Sequence, residues 1–253
     1  TIVGSALGLV SYTHPEEWTA FIAVIQLGTL LAVLMYFSRD IMHISTAFIR
    51  ESIIQRTPWH KQSLESRMGW YVIIGTLPIV TLGILLKSII EGSITKDIRL
   101  IAWTLIILAL VLLAADIFGK QTRTSGNITW RDALIIGIAQ ALALFPGASR
   151  SGTTITAGLF LGLQRAVAAR FSFLLSIPAV FASGILQLYQ SFAATASYDP
   201  TTLLVATTVS GISGYAAIAF LLRYLQTHST GAFVVYRILL GTYLLVFWRS
   251  PVV

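Results

Sequence analysis

The chain runs to 253 residues, of which 56% are hydrophobic and 11% charged, with a mean hydropathy of +0.81. That balance excludes an ordinary water-soluble domain and points to a polytopic membrane protein. The formal charge of +7 is not gathered into a basic run with interleaved aromatics, which excludes nucleic acid as its partner, and zero cysteines exclude a disulfide framework, thiolate metal sites and thiol catalysis.

The first stretch, Thr1-Ile2-Val3-Gly4-Ser5-Ala6-Leu7-Gly8-Leu9, reads as a half-helix of small residues followed by a polar linker. Apolar runs near the ~20 residues that a helix needs to cross a bilayer then occur at 18–37, 68–86 and 100–118. Two shorter runs, 132–145 and 154–163, come next; each is too short to cross, and together they read as a re-entrant helical hairpin. Runs at 171–190, 203–222 and 232–249 complete six predicted spans. The predicted fold is therefore an all-α integral membrane protein, one polytopic domain over 1–253, with six transmembrane helices and a hairpin over 132–163.

Loop charges orient it. The segments 38–67, 119–131, 164–170 and 223–231 hold eleven Lys and Arg, whereas 10–17, 87–99, 191–202 and the C-terminus hold four. The positive-inside rule puts the first group in the cytoplasm and the tail Arg249-Ser250-Pro251-Val252-Val253 outside.

An internal repeat is also legible. Thr1–Leu9 resembles Thr154-Ile155-Thr156-Ala157-Gly158-Leu159-Phe160-Leu161-Gly162-Leu163, both ending in Leu-Gly-Leu and both followed by a linker, a span and two further spans. Because 18–37 and 171–190 run in opposite directions by the charge count, the halves are inverted, 1–118 forming a partial first repeat and 119–253 the second. Such repeats are common in secondary transporters, so the pattern alone favours transport as much as catalysis. The second repeat begins with an arm, 132–145, that has no counterpart before Thr1. The expectation is a chain lacking that arm, starting on threonine where a native start has methionine.

The chemistry concentrates at Phe145-Pro146-Gly147-Ala148-Ser149-Arg150-Ser151-Gly152-Thr153-Thr154. Pro146-Gly147 interrupts a helix, and the helix that resumes near Ser149 presents free N–H groups and its dipole's positive end to the break. Arg150 adds a planar fork of donors suited to phosphate oxygens, and Ser149, Ser151, Thr153 and Thr154 add hydroxyls. An unpaired guanidinium in hydrocarbon costs at least ~2.5 kcal/mol, so an arginine here requires a partner, and an anion fits best. The bland account is a Pro-Gly turn capped by Ser and Thr with Arg150 snorkelling to an interface. Candidate phosphate ligands are Gly147, Ser149, Arg150, Ser151 and Thr154, with Arg150 and Ser149 as the catalytic pair.

Other polar residues have simpler readings. The ten acidic residues and His14, His43, His60 and His228 fall in loops or near span ends, so no base or metal ligand stands beside the cradle. Gln26 and Gln140 read as helix–helix hydrogen bonders ahead of substrate contacts. Arg237, unusual in a span, is expected to pair with a carboxylate or carbonyls, Asp116 and Asp132 being candidates. Thr129-Trp130-Arg131-Asp132 resembles a capping box opening the helix at 132. Trp18, Trp70, Trp103, Trp130 and Trp248 read as interfacial anchors, Pro78 and Pro178 as kinks, and Gly211/Gly214 as a close-packing face.

The chain resembles the undecaprenyl-pyrophosphate phosphatase family, also known as bacitracin-resistance proteins. The resemblance is carried by Ala141-Leu142-Ala143-Leu144-Phe145-Pro146-Gly147-Ala148-Ser149-Arg150-Ser151-Gly152-Thr153-Thr154, by Phe171-Ser172-Phe173-Leu174-Leu175-Ser176-Ile177-Pro178 and by Val24-Ile25-Gln26-Leu27-Gly28. The family's Pro-Gly-x-Ser-Arg-Ser-x-x-Thr signature is matched from Pro146 through Thr154. Its other signature, a glutamate-bearing helix leading into Pro-x-Ser-Ser-x-Gly-His, belongs before Thr1 and is absent. The resemblance implies hydrolysis of undecaprenyl pyrophosphate to undecaprenyl phosphate and inorganic phosphate, at the outer face of the bacterial plasma membrane. It also implies a divalent cation, Mg or Ca, held by carboxylates of the absent arm; residues 1–253 alone are then expected to be inactive. Arg150 would hold a phosphate oxygen, and Ser149 would be a donor or a nucleophile. Its expected partners are the polyprenyl pyrophosphate and membrane lipids, with a homodimer left open.

Two other functions compete. A transporter or flippase of a phosphorylated polyprenyl lipid is motivated by the repeat. A type-2 phosphatidate-phosphatase-like enzyme needs a histidine soon after its Ser-Arg, and none occurs before His228.

Overall fold

Local capping chemistry sets where the helices begin. The Ser63 hydroxyl accepts from the Ser66 N–H at 3.2 Å, the Asp97 carboxylate from the Arg99 N–H at 2.8 Å, and Thr129 and Asp132 form a reciprocal capping box. The computed structural model describes residues 15–86, 97–195 and 200–247. The half-helix expected at Thr1–Leu9, the side chain of Trp18, Trp248 and the tail from Arg249 lie outside the described residues.

Among the described residues the chain is all-α. The helices are α1 (Pro15–Tyr36), α2 (Ser38–Phe48), α3 (Leu64–Leu85), α4 (Ile98–Phe118), α5 (Trp130–Ala141), α6 (Arg150–Phe160), α7 (Arg165–Thr195), α8 (Pro200–Thr227) and α9 (Gly231–Phe247). Four segments are long and apolar enough to cross a membrane: Leu64–Leu85, Ile98–Phe118, Arg165–Leu186 and Thr201–Thr227. The pair Val24–Tyr36 and Ser38–Ile54, bent at Phe37, makes a fifth if counted as one span. The sixth expected span is represented by α9, which at 17 residues is shorter.

Two boundaries differ from the sequence expectation for one reason. Hydropathy marks membrane depth, whereas helices continue through charged turns. Thus α7 begins at Arg165, before the apolar run at 171, and the predicted loop 38–67 contains the amphipathic α2 and a π turn at Ile49–Ile54.

Large apolar side chains point outward along these helices: Leu77, Ile107, Leu110, Leu204, Ile212, Leu239 and Val246 are each more than half exposed. A soluble monomer does not expose apolar surface on this scale, and lipid is the solvent that suits it.

The chain divides into two compact units with boundaries at Arg39/Asp40, Ser176/Ile177 and Phe220/Leu221. In the unit holding α1, the second part of α7 and most of α8, small residues bring backbones together. A Cβ on Gly28 would collide with the Thr207 carbonyl oxygen, Gly214 faces Ala32 and Thr29, and the Ser210 hydroxyl donates to the Ile25 carbonyl at 2.9 Å. The expected close-packing face at Gly211/Gly214 is therefore present.

The other unit carries the helix break. Here α3 packs on α5, α5 and α4 pack on α6, and α9 packs on α4. The α3–α5 contact is backbone to backbone, since a Cβ on Gly137 would collide with the Gly75 carbonyl oxygen. Two buried carboxylates tie loops to this unit. Asp132 takes two bonds from Arg123, at 3.0 and 2.6 Å, and Asp116 takes Arg165 Nε at 2.5 Å and the Thr230 N–H at 3.1 Å. Burial pushes the Asp132 carboxyl up, but the bonds from Arg123 and Thr129 outweigh it and hold the group below the usual carboxylate range.

Candidate active site

The segment 132–163 is not one continuous helix. After α5 a single 3-10 turn, Leu142–Leu144, leads to Phe145, which is extended as a residue before proline must be. Pro146 and Gly147 then occupy the middle of a turn closed by the Ala148 N–H donating to the Phe145 carbonyl at 3.2 Å. Gly147 has φ +87°, which suits glycine, and a Cβ there would also lie 2.7 Å from the Ile101 carbonyl oxygen on α4. The chain re-enters helix at Ser149, and α5 and α6 pack on each other across the break.

Ser149 is the N-cap of α6 and has φ +35°, rare for a residue with a side chain. Its hydroxyl oxygen accepts from the Gly152 N–H at 3.3 Å, and its hydroxyl proton stays available to an incoming oxygen. The N–H groups of Arg150 and Ser151, in the first turn, have no acceptor within the helix. Backbone strain of this kind costs ~1–3 kcal/mol and gathers at ligand-holding positions.

The sequence-predicted residues divide into two sets. Gly147, Ser149, Arg150 and Ser151 come together at the break, where Ser149 and Arg150 are exposed and Ser151 half-buried. The Arg150 side chain makes no hydrogen bond or ion pair among the described residues. Thr153 and Thr154 instead turn inward. Thr154 is 1% exposed; its hydroxyl donates to the Arg150 carbonyl at 2.9 Å and shares a 2.5 Å bond with Ser172 on α7. Thr153 bonds the same carbonyl at 3.0 Å. Thr154 thus braces α6 on α7 by a buried bond, and the donors facing the break are Ser149, Arg150 and Ser151.

Arg237 follows the carbonyl alternative of the sequence reading, and its two candidate aspartates are not its partners. It pairs with neither Asp116 nor Asp132, whose oxygens are occupied by Arg165, Thr230, Arg123 and Thr129. Its Nη2 donates instead to the Gly147 carbonyl oxygen at 3.0 Å, and a Cβ on Gly152 would lie 2.5 Å from its Nη1. Two guanidinium groups therefore meet the same helix break, one from its own first turn and one from α9. The only sequence signal was an arginine inside an apolar run.

The profile of the bacitracin resistance protein BacA family matches residues 1–243. The chain belongs to that family. A protein of Syntrophobacter fumaroxidans named undecaprenyl-diphosphatase is 53% identical over 245 residues, covering 97% of this chain and 87% of that protein. Proteins of the same name from Chloroherpeton thalassium and Mycobacterium sp. strain KMS are 52% and 49% identical over 239 and 252 residues, covering 83% and 90% of their own lengths.

The family resemblance implies a divalent cation, which the break does not suit. Guanidinium groups, hydroxyl protons and free N–H groups attract anions and repel cations. No three described His, Asp or Glu side chains come together in a way that could hold a metal ion. His43 and His60 are exposed, and His228 stacks on Tyr224. Gln140, one turn before the break, is fully buried with no hydrogen bond to its amide among the described residues, so the expected interhelical bond is not seen there.

Proposed function

We propose that the chain hydrolyses undecaprenyl pyrophosphate to undecaprenyl phosphate and inorganic phosphate, recycling the lipid carrier of cell-wall synthesis and conferring bacitracin resistance. The supporting observation is the break at Pro146–Gly152, where Arg150, with no ion pair among the described residues, and the free N–H groups of an α6 first turn face the same place in a chain half identical to proteins named for that activity. The polyprenyl tail stays in lipid while the diphosphate enters the break. Arg150 holds a phosphate oxygen, and the Ser149 hydroxyl and the Arg150 and Ser151 N–H groups neutralise charge that builds as the bridging P–O bond lengthens. A water oxygen ends on the released phosphate, and the bridging oxygen stays with the lipid phosphate. Ser149 serves either as donor or as nucleophile in this scheme.

The same proposal includes six crossings, with 132–163 as a re-entrant hairpin, an inverted relation between 1–118 and 119–253, and a plasma-membrane site open to the outside. It includes a divalent cation whose ligands are carboxylates other than those bound to Arg123 and Arg165; no step above runs through it. A homodimer would be a further layer, read by cross-linking in membranes.

The test is phosphate release by the full-length protein from undecaprenyl pyrophosphate, beside a lipid-translocation assay in vesicles. Phosphate release in detergent, where no bilayer separates two sides, is the expected result. Translocation without phosphate release would favour the transporter that the repeat also suggests.

A further inference from the structure

Arg237 is 6% exposed, and its Nε and Nη1 have no hydrogen-bond partner among the described residues. A guanidinium carries five N–H donors, and the Gly147 carbonyl takes up one of its groups. Burying the rest unpaired is costly, and removing a carboxylate partner from such a group is among the more destabilising changes known. Yet neither buried aspartate of this unit serves it, because Asp116 and Asp132 are bound to other arginines. The α6 N-terminus lies directly beside it, with Nη1 against Gly152 and Nη2 on the carbonyl that precedes the helix. The counter-charge that this side chain lacks is therefore one that belongs at a helix N-terminus.

We infer that Arg237 is a second phosphate-binding arginine, gripping the deeper, terminal phosphate of the diphosphate while Arg150 holds the phosphate attached to the lipid. This rests on the reading of the break as a diphosphate site. The order of the two phosphates follows from burial, since the tail remains in lipid and the end of the headgroup reaches furthest into the protein. Arg237 then sets specificity: a diphosphate engages both guanidinium groups, whereas the monophosphate product engages one and leaves. The glycine at 152 is part of the device, because a Cβ there would lie 2.5 Å from Nη1 and displace it, while also pressing on Cβ and Oγ of Ser149 at 3.2 Å.

The experiment compares inorganic pyrophosphate with inorganic phosphate as ligands of the full-length protein in detergent, by calorimetry and by thermal protection, for the wild type and for Arg237→Gln, Arg237→Lys and Gly152→Ala. The wild type should prefer pyrophosphate. Arg237→Gln should weaken pyrophosphate by about tenfold to hundredfold, the range for losing a hydrogen bond to a charged group, and leave phosphate binding through Arg150 little changed. Lysine should restore little of the preference. Gly152→Ala should reproduce the loss and add almost nothing in the Arg237→Gln background. If Arg237→Gln does not fold, Arg237→Lys decides, because Gly152→Ala also presses on Ser149. An unchanged pyrophosphate preference in either variant, with only a lowered melting temperature, makes Arg237 a brace for Gly147 and overturns the inference, as would a wild type with no preference. Undecaprenyl pyrophosphate hydrolysis that persists with such a result leaves the proposed function standing, whereas Arg237-dependent pyrophosphate binding in a protein that hydrolyses nothing defeats the function and not the ligand.

Discussion

Arg150→Ala is expected to remove nearly all phosphate release from undecaprenyl pyrophosphate, lowering kcat by about 10²–10³-fold, as deletion of a donor to developing charge does elsewhere. Arg150 starts the first turn of α6, is exposed at the break and pairs with no carboxylate among the described residues, so its replacement leaves no orphaned partner and should cost little stability. The expected pattern is a large fall in kcat with an unfolding midpoint close to that of the wild type, measured by phosphate release and by differential scanning fluorimetry in the same detergent. Arg150→Lys should recover only a small part, since an ammonium group cannot present two parallel donors to one phosphate. A fall in stability equal to the fall in activity would make Arg150 a structural residue.

Asp116→Ala is expected to have the largest effect on stability. Asp116, 7% exposed, receives Arg165 from the first turn of α7 and the buried Thr230 N–H that leads into α9, so one carboxylate joins the ends of three helices. Alanine would strand both donors. Breaking a buried pair costs ~3–5 kcal/mol, and the partial exposure of Arg165 places this case nearer ~2–3 kcal/mol. Urea or thermal unfolding should show it. Because α9 carries Arg237, pyrophosphate affinity should fall as well, and an unchanged unfolding midpoint would show that the pair contributes nothing to holding α9.

The parts of this site that depend on neighbours in sequence were readable from residue types. Proline followed by glycine forecasts the break, a serine before a helix forecasts the cap, and Thr129 with Asp132 forecasts the capping box that opens α5. Helix existence was equally legible, because apolar runs of bilayer length allow little else. Ends were not: α2 and the first turn of α7 are charged, and a hydropathy window passes over them. The inward turn of Thr154 and the aim of Arg237 depend on which helix lies beside which. Nothing in Val235-Tyr236-Arg237-Ile238 says that α9 packs on α4, or that α4 also holds Gly147. Asp116 and Asp132 looked available to Arg237 only because the arginines that occupy them come from the first turn of α7, distant in sequence, and from the loop before α5, folded over its N-terminus.

The most direct measurement is a structure of the full-length protein with a non-hydrolysable methylene diphosphonate analogue of the lipid. The account predicts its two phosphorus groups at the break, one on Arg150 and the first-turn N–H groups of α6, the other on Nε and Nη1 of Arg237, with the tail leading out between helices. Density for the headgroup away from Pro146–Gly152, with Arg150 still unpaired, would contradict it.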